Sequence, residues 1–453
     1  MGWLGLFILW LPAMAVFPAG AAETLSSQKP NFVLMVSDDM GYADLGVQGG
    51  RDIPTPNLDA LARGGVRFTQ AYVSAPLCSP MRAGLMTGVY PQRFGHEFNC
   101  ESYEWGMSRE HPTIAERLKP LGYRTALVGK WHLGFAEPHR PLARGFDEFY
   151  GWLNYARPFY PDRPAGRKEN EWMRNNEIVV EKEYQTDAIA REAVDFIRRS
   201  QKEPFFLYVA FGAVHDPIQP RRDTLDNLGG IPDPKRRAMA GMLVPLDEAV
   251  GRIVGALRQH GLERHTLVVF INDNGADPGW ASSNGNLRGF KRSTYEGGIR
   301  VPFFMAWPGR LAAGTVFDRP VIQLDIHPTL AAAAGLNPGP TWKLDGVNLW
   351  PFLDGRNAGR PHQTLYWRID QRMAIRDGDW KLVRTADYAP GTRPRMRTYA
   401  ADLSDAELYD LAKDPDEKHD LARDPVHAQR VAALKAQWQA WSRELREPFP
   451  GPK

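Results

Sequence analysis

The chain has 453 residues, of which 43% are apolar and 24% charged, and its formal net charge is +3. This balance excludes a disordered chain and a multi-span membrane protein, and it offers nucleic acid no global attraction, so any anion must be met by a local cluster of cations. The length suits one large domain with a smaller one, or two to three domains, and the two cysteines, Cys78 and Cys100, cannot build a cysteine zinc site.

Residues 1–22 come first. They are apolar from Trp3 to Phe17, carry no acidic or basic residue, and offer Ala19-Gly20-Ala21 to a signal peptidase. They read as a secretory signal peptide, because the apolar run is short and interrupted by Pro12 and Pro18. The mature chain is then expected to be periplasmic or secreted, with no stable membrane anchor. Export alone would predict a Cys78–Cys100 disulfide.

Beyond the leader, one design recurs: a short apolar run, then a polar turn. Phe32–Val36 is followed by Asp38-Asp39; a run ending at Val128 by Lys130 and His132; Phe205–Phe211 by His215; Leu267–Ile271 by Asp273-Asn274. Between them lie helices: "TPNLDALARGG" and "TIAERLKPLG", each closed by glycine, and "QTDAIAREAVDFIRRS", with an apolar stripe at helical spacing. A longer one, "RRAMAGMLVPLDEAVGRIVGALRQHG", is expected to kink or split at Pro245. "RPFYPDRPAGRKENEW" reads as a surface loop. Strands alternating with helices predict an α/β fold with a large, mostly parallel sheet covered by helices on both faces. Ligands of such sheets bind beyond the carboxyl ends of the strands, where these polar residues fall.

After about residue 357 the character changes. "LYWRIDQRMAIRDGDWKLVRT" predicts a hairpin turning at Asp377-Gly378, "AELYDLAKDPDEKHDL" a further strand, and "PVHAQRVAALKAQWQAWSREL" an amphipathic terminal helix. The expected division is a large α/β domain over 23–357 and a C-terminal α+β subdomain over 358–453, with a small antiparallel sheet.

Adjacent carboxylates repel, so Asp38-Asp39 at a strand end call for neutralisation, which a hard divalent cation with oxygen ligands supplies. Alone, the pair reads first as a turn aspartate plus a helix cap, and "NDNG" at Asp273-Asn274 first as a tight turn. Together, two such ends over one sheet edge offer several oxygen ligands. Arg82, Lys130, His132, His215 and Lys291 lie in strand-end loops or glycine-rich turns. Singly each is a surface charge; gathered around a cation they form a site for a tetrahedral anion such as sulfate or phosphate, with histidines able to move protons. Cys78 precedes Pro80 at a helix start, a setting that activates a thiol or stabilises an anion.

"CSPMRAGLMTG" resembles the signature of the formylglycine-dependent (type I) sulfatases of the alkaline phosphatase superfamily. "NFVLMVSDDMGYADLG", "GYRTALVGKWHLG", "GFDEFYGWL", "NDNG", "KRSTYEGGIRVP", "DIHPTLAAAAG" and "ELYDLAKDPDEKHDLA" follow the family's pattern in order, over nearly the whole mature chain. The resemblance implies an alkaline phosphatase-like fold and hydrolysis of sulfate esters, of sulfated carbohydrates or, in an assay, of arylsulfates. It implies that a maturase, formylglycine-generating or radical, oxidises Cys78 to Cα-formylglycine (3-oxoalanine). Asp38, Asp39, Asp273 and Asn274 match the family's calcium ligands, with the modified Cys78 completing the sphere, and an all-protein oxygen cage favours calcium over magnesium. Arg82 matches the residue holding the formylglycine hydrate, Lys130 and Lys291 those binding sulfate oxygens. His132 matches the histidine at the hydrate and His215 the one at the leaving oxygen. In that chemistry one hydroxyl of the hydrate attacks sulfur, His215 or Lys291 protonates the alcohol, and loss of the other hydroxyl's proton to His132 expels sulfate. This role for Cys78 displaces the disulfide reading.

Four positions depart from the family's habit: Met81 replaces a frequent serine, Asn272 precedes the Asp-Asn pair outside the ligand set, Phe290 replaces a glycine before Lys291, and Pro245 interrupts a helix. Two rival readings stand beside the sulfatase: a phosphomonoester or phosphonate monoester hydrolase of the same superfamily, and a non-catalytic polysaccharide-binding protein with an unmodified Cys78.

Overall fold

A computed structural model of the chain describes residues 29–385 and 403–449; the signal-peptide reading, over residues 1–22, lies outside them. In chain order the strands are β1 (Asn31–Ser37), β2 (Val66–Phe68), β3 (Ala71–Tyr72), β4 (Arg124–Lys130), β5 (Glu148–Trp152), β6 (Met173–Arg174), β7 (Glu177–Ile178), β8 (Phe205–Ala210), β9 (Thr266–Asn272), β10 (Phe303–Ala306), β11 (Thr315–Phe317), β12 (Val321–Ile322), β13 (Thr364–Ile369), β14 (Arg372–Asp377), β15 (Trp380–Arg384) and β16 (Glu407–Asp410). Ten form one sheet in the order β11-β2-β10-β9-β1-β8-β4-β5-β6-β7. Its centre, β9-β1-β8-β4-β5, is parallel throughout, as the short apolar runs predict.

Both faces are covered, and alternation along β1 shows how. Phe32, Leu34 and Val36 pack in one core with Leu85 and Met86 of the helix Cys78–Thr87. Val33 and Met35 pack in the other with Ile189 of the helix Gln185–Arg199 and Ile253 of the helix Pro234–Gln259. At the end of β4, Gly129 has φ +112°, and a Cβ there would lie 1.9 Å from Ala210 O. Glycine alone allows β4 and β8 to meet this closely just before Lys130.

Two expectations are corrected. Pro245 does not split its helix, which runs unbroken from Pro234 to Gln259. Proline cannot donate to the carbonyl four residues back, and that carbonyl, Gly241 O, instead accepts from Arg221 N at 3.0 Å. The C-terminal hairpin is part of a four-stranded antiparallel sheet, β13-β14-β15-β16. Asp377 pairs with Trp380, so the turn near Asp377-Gly378 is present, and an additional turn at Asp370-Gln371 links β13 to β14. No glycine marks it; Asp370 itself takes φ 56°, a conformation aspartate tolerates. Trp367, Ile375 and Leu408 of this sheet share the core that holds Leu85, and Trp438 of the terminal helix Ala428–Arg443 donates to Trp367 O at 2.9 Å.

Candidate active site

β1 and β9 are parallel neighbours with Ser37 opposite Asn272. That register brings the next residues of each strand, Asp38-Asp39 and Asp273-Asn274, to the same point of the same sheet edge. Asn274 Nδ2 donates to Asp39 Oδ1 at 2.8 Å, and Asp273 N to Ser37 O at 3.2 Å. Asp39 has φ 60°, so the chain turns sharply and both carboxylates face inward.

The helix Cys78–Thr87 begins under this edge. Cys78 Sγ lies 3.6 Å from Asp38 Oδ1 and 3.5 Å from Asn274 Oδ1. One turn on, the Arg82 guanidinium lies 2.8 Å from Asp273 Oδ2 and 3.4 Å from Asp38 Oδ2. Lys130, the last residue of β4, reaches Asp38 Oδ2, and Lys291 Nζ lies 2.6 Å from Asp39 Oδ2. His215 Nε2 is 3.7 Å from Asp39 Oδ2, and its Nδ1 faces Asp216 Oδ1 at 2.9 Å. His132, at φ 60°, is fully buried and neither ring nitrogen has a hydrogen-bond partner. All ten residues singled out from the sequence thus gather at the carboxyl end of the parallel strands.

Burial and charge set the ionisation. Burial pushes the Asp38 carboxyl up, but Lys130, His215, Arg82 and Lys291 outweigh it and hold it below the usual range. Asp273 is pushed up by burial and by the neighbouring Asp38 charge. Burial drives His132 down, with Lys130 and Arg82 adding to it. Burial lowers His215 too, but Asp38 and Asp39 raise it above its ordinary value. The Cys78 thiol is pushed far up by burial, so the thiol itself is a weak nucleophile. Cys78 and Cys100 are both free; Cys100 Sγ contacts Trp105 O at 3.2 Å.

Ligand atoms of Asp38, Asp39, Cys78 and Asp273 all lie within 4.8 Å of one another. Carboxylates with a nearby amide oxygen are the donor set of a hard divalent cation such as calcium.

Several residues of the site had no sequence signal, or one that was misread. Asn272 looked like a bystander. Its side chain accepts from Ser37 Oγ at 2.7 Å and Met40 N at 3.3 Å, and donates to Met40 O at 2.7 Å and to Asn274 O, bracing both acidic ends. Ser79 Oγ donates to His132 O at 2.6 Å and meets His96 Nε2 at 2.7 Å. The half-buried Tyr155 ring sits 6.1 Å from the ring of His132 and 6.0 Å from that of His215. A polar side chain ending a buried apolar strand was the one available cue, and only Asn272 offered it.

A family model described as Sulfatase matches residues 30–336, and one described as N-sulphoglucosamine sulphohydrolase, C-terminal, matches residues 288–444. The N-acetylgalactosamine-6-sulfatase of Sus scrofa is 34% identical over 457 residues, covering 91% of this chain and 85% of that protein. Arylsulfatase A of Homo sapiens is 35% identical over 448 residues, covering 88% and 85%. The crystal structure of Ps i-CgsB in complex with k-i-k-neocarrahexaose matches with a TM-score of 0.85 and 35% identity, over 93% of this chain and 94% of that one. Since the family match spans β1, the Cys78 helix and β9 together, and full-length sulfatases align over most of the chain, the protein belongs to the sulfatase family and is a sulfuric ester hydrolase.

Proposed function

We propose that this sulfatase removes sulfate from a sulfated carbohydrate, with Cys78 converted to Cα-formylglycine and one calcium ion held by Asp38, Asp39, Asp273 and Asn274. The observation that carries the reading is the meeting of the two acidic strand ends over Cys78, with Arg82, Lys130 and Lys291 around them. The carbohydrate is favoured because relatives are named for N-acetylgalactosamine sulfate or bind a neocarrahexaose. The leader-like residues 1–22 favour a periplasmic or secreted enzyme, matured by its maturase before or during export.

Charge supports the assignment. Asp38, Asp39 and Asp273 carry three negative charges, and Arg82, Lys130 and Lys291 three positive ones. A divalent cation adds two positive charges and a protonated His215 a third, the surroundings an anionic ester and an anionic attacking oxygen require. When bound, calcium supplies Lewis-acid polarisation of a sulfate oxygen. Formylglycine supplies a hydrated aldehyde that can attack sulfur and afterwards release it.

The chain's own groups do the rest. Lys130 and Lys291 bind the sulfate oxygens and hold sulfur over residue 78. Arg82 orients Asp38 and Asp273 and faces residue 78. His215, fixed by Asp216, gives a proton to the leaving oxygen. His132, unpartnered and neutral, takes a proton from the residue 78 side.

The test has three arms. Mass spectrometry of the Cys78 peptide from the native host should show the aldehyde form. Turnover of nitrophenyl sulfate should exceed that of nitrophenyl phosphate, and a panel of sulfated oligosaccharides should include one that is desulfated. Dominant phosphate turnover would point to the phosphomonoester or phosphonate ester hydrolase. An intact thiol with glycan binding and no turnover would point to the polysaccharide-binding protein.

A further inference from the structure

Lys291 is not on the sheet. It lies in an irregular stretch before the short helix Glu296–Ile299, and a lysine on a loop needs something to fix where its ammonium ends. Towards the catalytic layer, Lys291 N donates to Ala276 O and Arg292 N to Pro76 O, each at 2.9 Å. The other side of the loop is gripped by the C-terminal sheet. Arg372 of β14 donates to Arg292 O, and Thr294 Oγ1 to Met373 O at 3.2 Å. Arg288 donates to Tyr409 Oη of β16 at 2.7 Å and to Glu417 O at 3.1 Å. At the centre is a fully buried ionic triad. Lys381 Nζ of β15 lies 2.9 Å from Glu296 Oε1 and 2.8 Å from Glu417 Oε1, and Glu417 Oε2 accepts from Glu296 N at 2.6 Å. Tyr72 Oη of β3 donates to Glu296 Oε2 at 2.7 Å.

Buried ion pairs are often no more stabilising than apolar packing of the same volume, but removing one partner leaves an uncompensated buried charge and is strongly destabilising, so the triad holds only in an arrangement with its members in place. Here that arrangement joins four places, β3, β15, the turn at Glu417, and the helix five residues beyond Lys291. We infer that the C-terminal sheet is a clamp that positions Lys291, with Lys381, Glu296, Glu417 and Arg288 as positioning residues of the desulfation reaction. The inference rests on the reading that Lys291 binds the sulfate group. The triad touches no reacting atom; it acts by holding the loop at the height at which the ammonium meets the site.

The experiment is a set of double-mutant cycles on nitrophenyl sulfate, with Cys78 conversion measured by mass spectrometry and folding by thermal melting for every variant. Lys291→Ala should lower kcat/KM on the order of 10²–10³-fold, as loss of one charge-stabilising contact does. Lys381→Met should lower it about tenfold, and the exposed Arg288→Ala about threefold, through misplacement of Lys291. Both losses should vanish when either substitution is combined with Lys291→Ala. Losses that persist undiminished in the Lys291→Ala background, or unchanged kcat/KM in folded single variants, overturn the clamp. Should Lys381→Met not fold, the Arg288→Ala cycle decides alone. If Lys291→Ala leaves kcat/KM unchanged, the sulfate-binding reading falls and the clamp with it.

Discussion

Replacing Asn272 by alanine should loosen both acidic strand ends at once. The amide is fully buried and makes four hydrogen bonds: three across the gap between β1 and β9, to Ser37 Oγ, Met40 N and Met40 O, and one along its own strand end to Asn274 O. Alanine removes all four and substitutes nothing. A buried polar group left unpaired costs about 1–3 kcal/mol. The Ser37 hydroxyl can rotate to another acceptor, and the 3.3 Å contact to Met40 N is long, so the two carbonyls dominate. The expected loss is about 3 kcal/mol of unfolding free energy. Calcium affinity should fall about tenfold, the equivalent of 1.4 kcal/mol, because Asp39 and Asn274 lose their common brace. Urea unfolding in calcium and in chelator, with calorimetric calcium titration, measures both. Asn272→Asp is the informative companion: it keeps the acceptor side but sets a carboxylate oxygen against Met40 O and Asn274 O, and should be no better than alanine. If the alanine variant unfolds within about 0.5 kcal/mol of the parent, a surface-mutation effect, and binds calcium equally, the bracing argument is wrong.

Other expectations follow from the same geometry. Chelating calcium should lower the melting temperature, since an ion that binds the folded site and not the unfolded chain stabilises by mass action; at calcium one hundred times Kd it contributes about 2.7 kcal/mol, and superimposable melting curves would contradict it. His362 Nε2 lies 2.7 Å from Asp325 Oδ1; burial pulls its pKa down, but Asp325, with Asp345 adding, raises it. A raised folded-state value means the pair's contribution is complete below about pH 6.5 and lost as pH climbs through that raised value. Stability should therefore decline above about pH 6.5, and His362→Gln should flatten that part of the profile; parallel profiles would refute it. His132→Ala removes no ring hydrogen bond but empties a fully buried site, so it should cost about 2–4 kcal/mol of unfolding free energy, while kcat of the folded variant drops about 10²–10⁴-fold, the usual worth of a general base; a full kcat in the folded variant would exclude His132 from proton transfer.

Much of this protein is legible locally. Short apolar runs closed by Asp38, Lys130, His215 and Asp273 read as buried strands because a strand packed on both faces needs little else. Cys78 reads as a helix start because Pro80 and the glycine at 88 punctuate the segment on either side. Residues on loops at strand ends are placed by their strand, so naming the strands also listed the candidate chemistry. Pro245 misled because its local cost is real; the carbonyl it frees is taken by Arg221 N, whose approach no sequence window contains.

What the tertiary structure alone decided is adjacency. β1 and β9 are separated by more than two hundred residues, and only sheet order makes Ser37 face Asn272. From that register come the meeting of the four oxygen-bearing side chains, the Asn272 brace and the reach of Arg82 to Asp273. The clamp on Lys291 belongs here too, because Lys381 lies in a separate sheet and Glu417 in the turn beyond its last strand. Periodicity and turn chemistry are properties of short segments and survive in the sequence; partner choice between distant segments is set by the packing of the whole core, and no short stretch of residues encodes it.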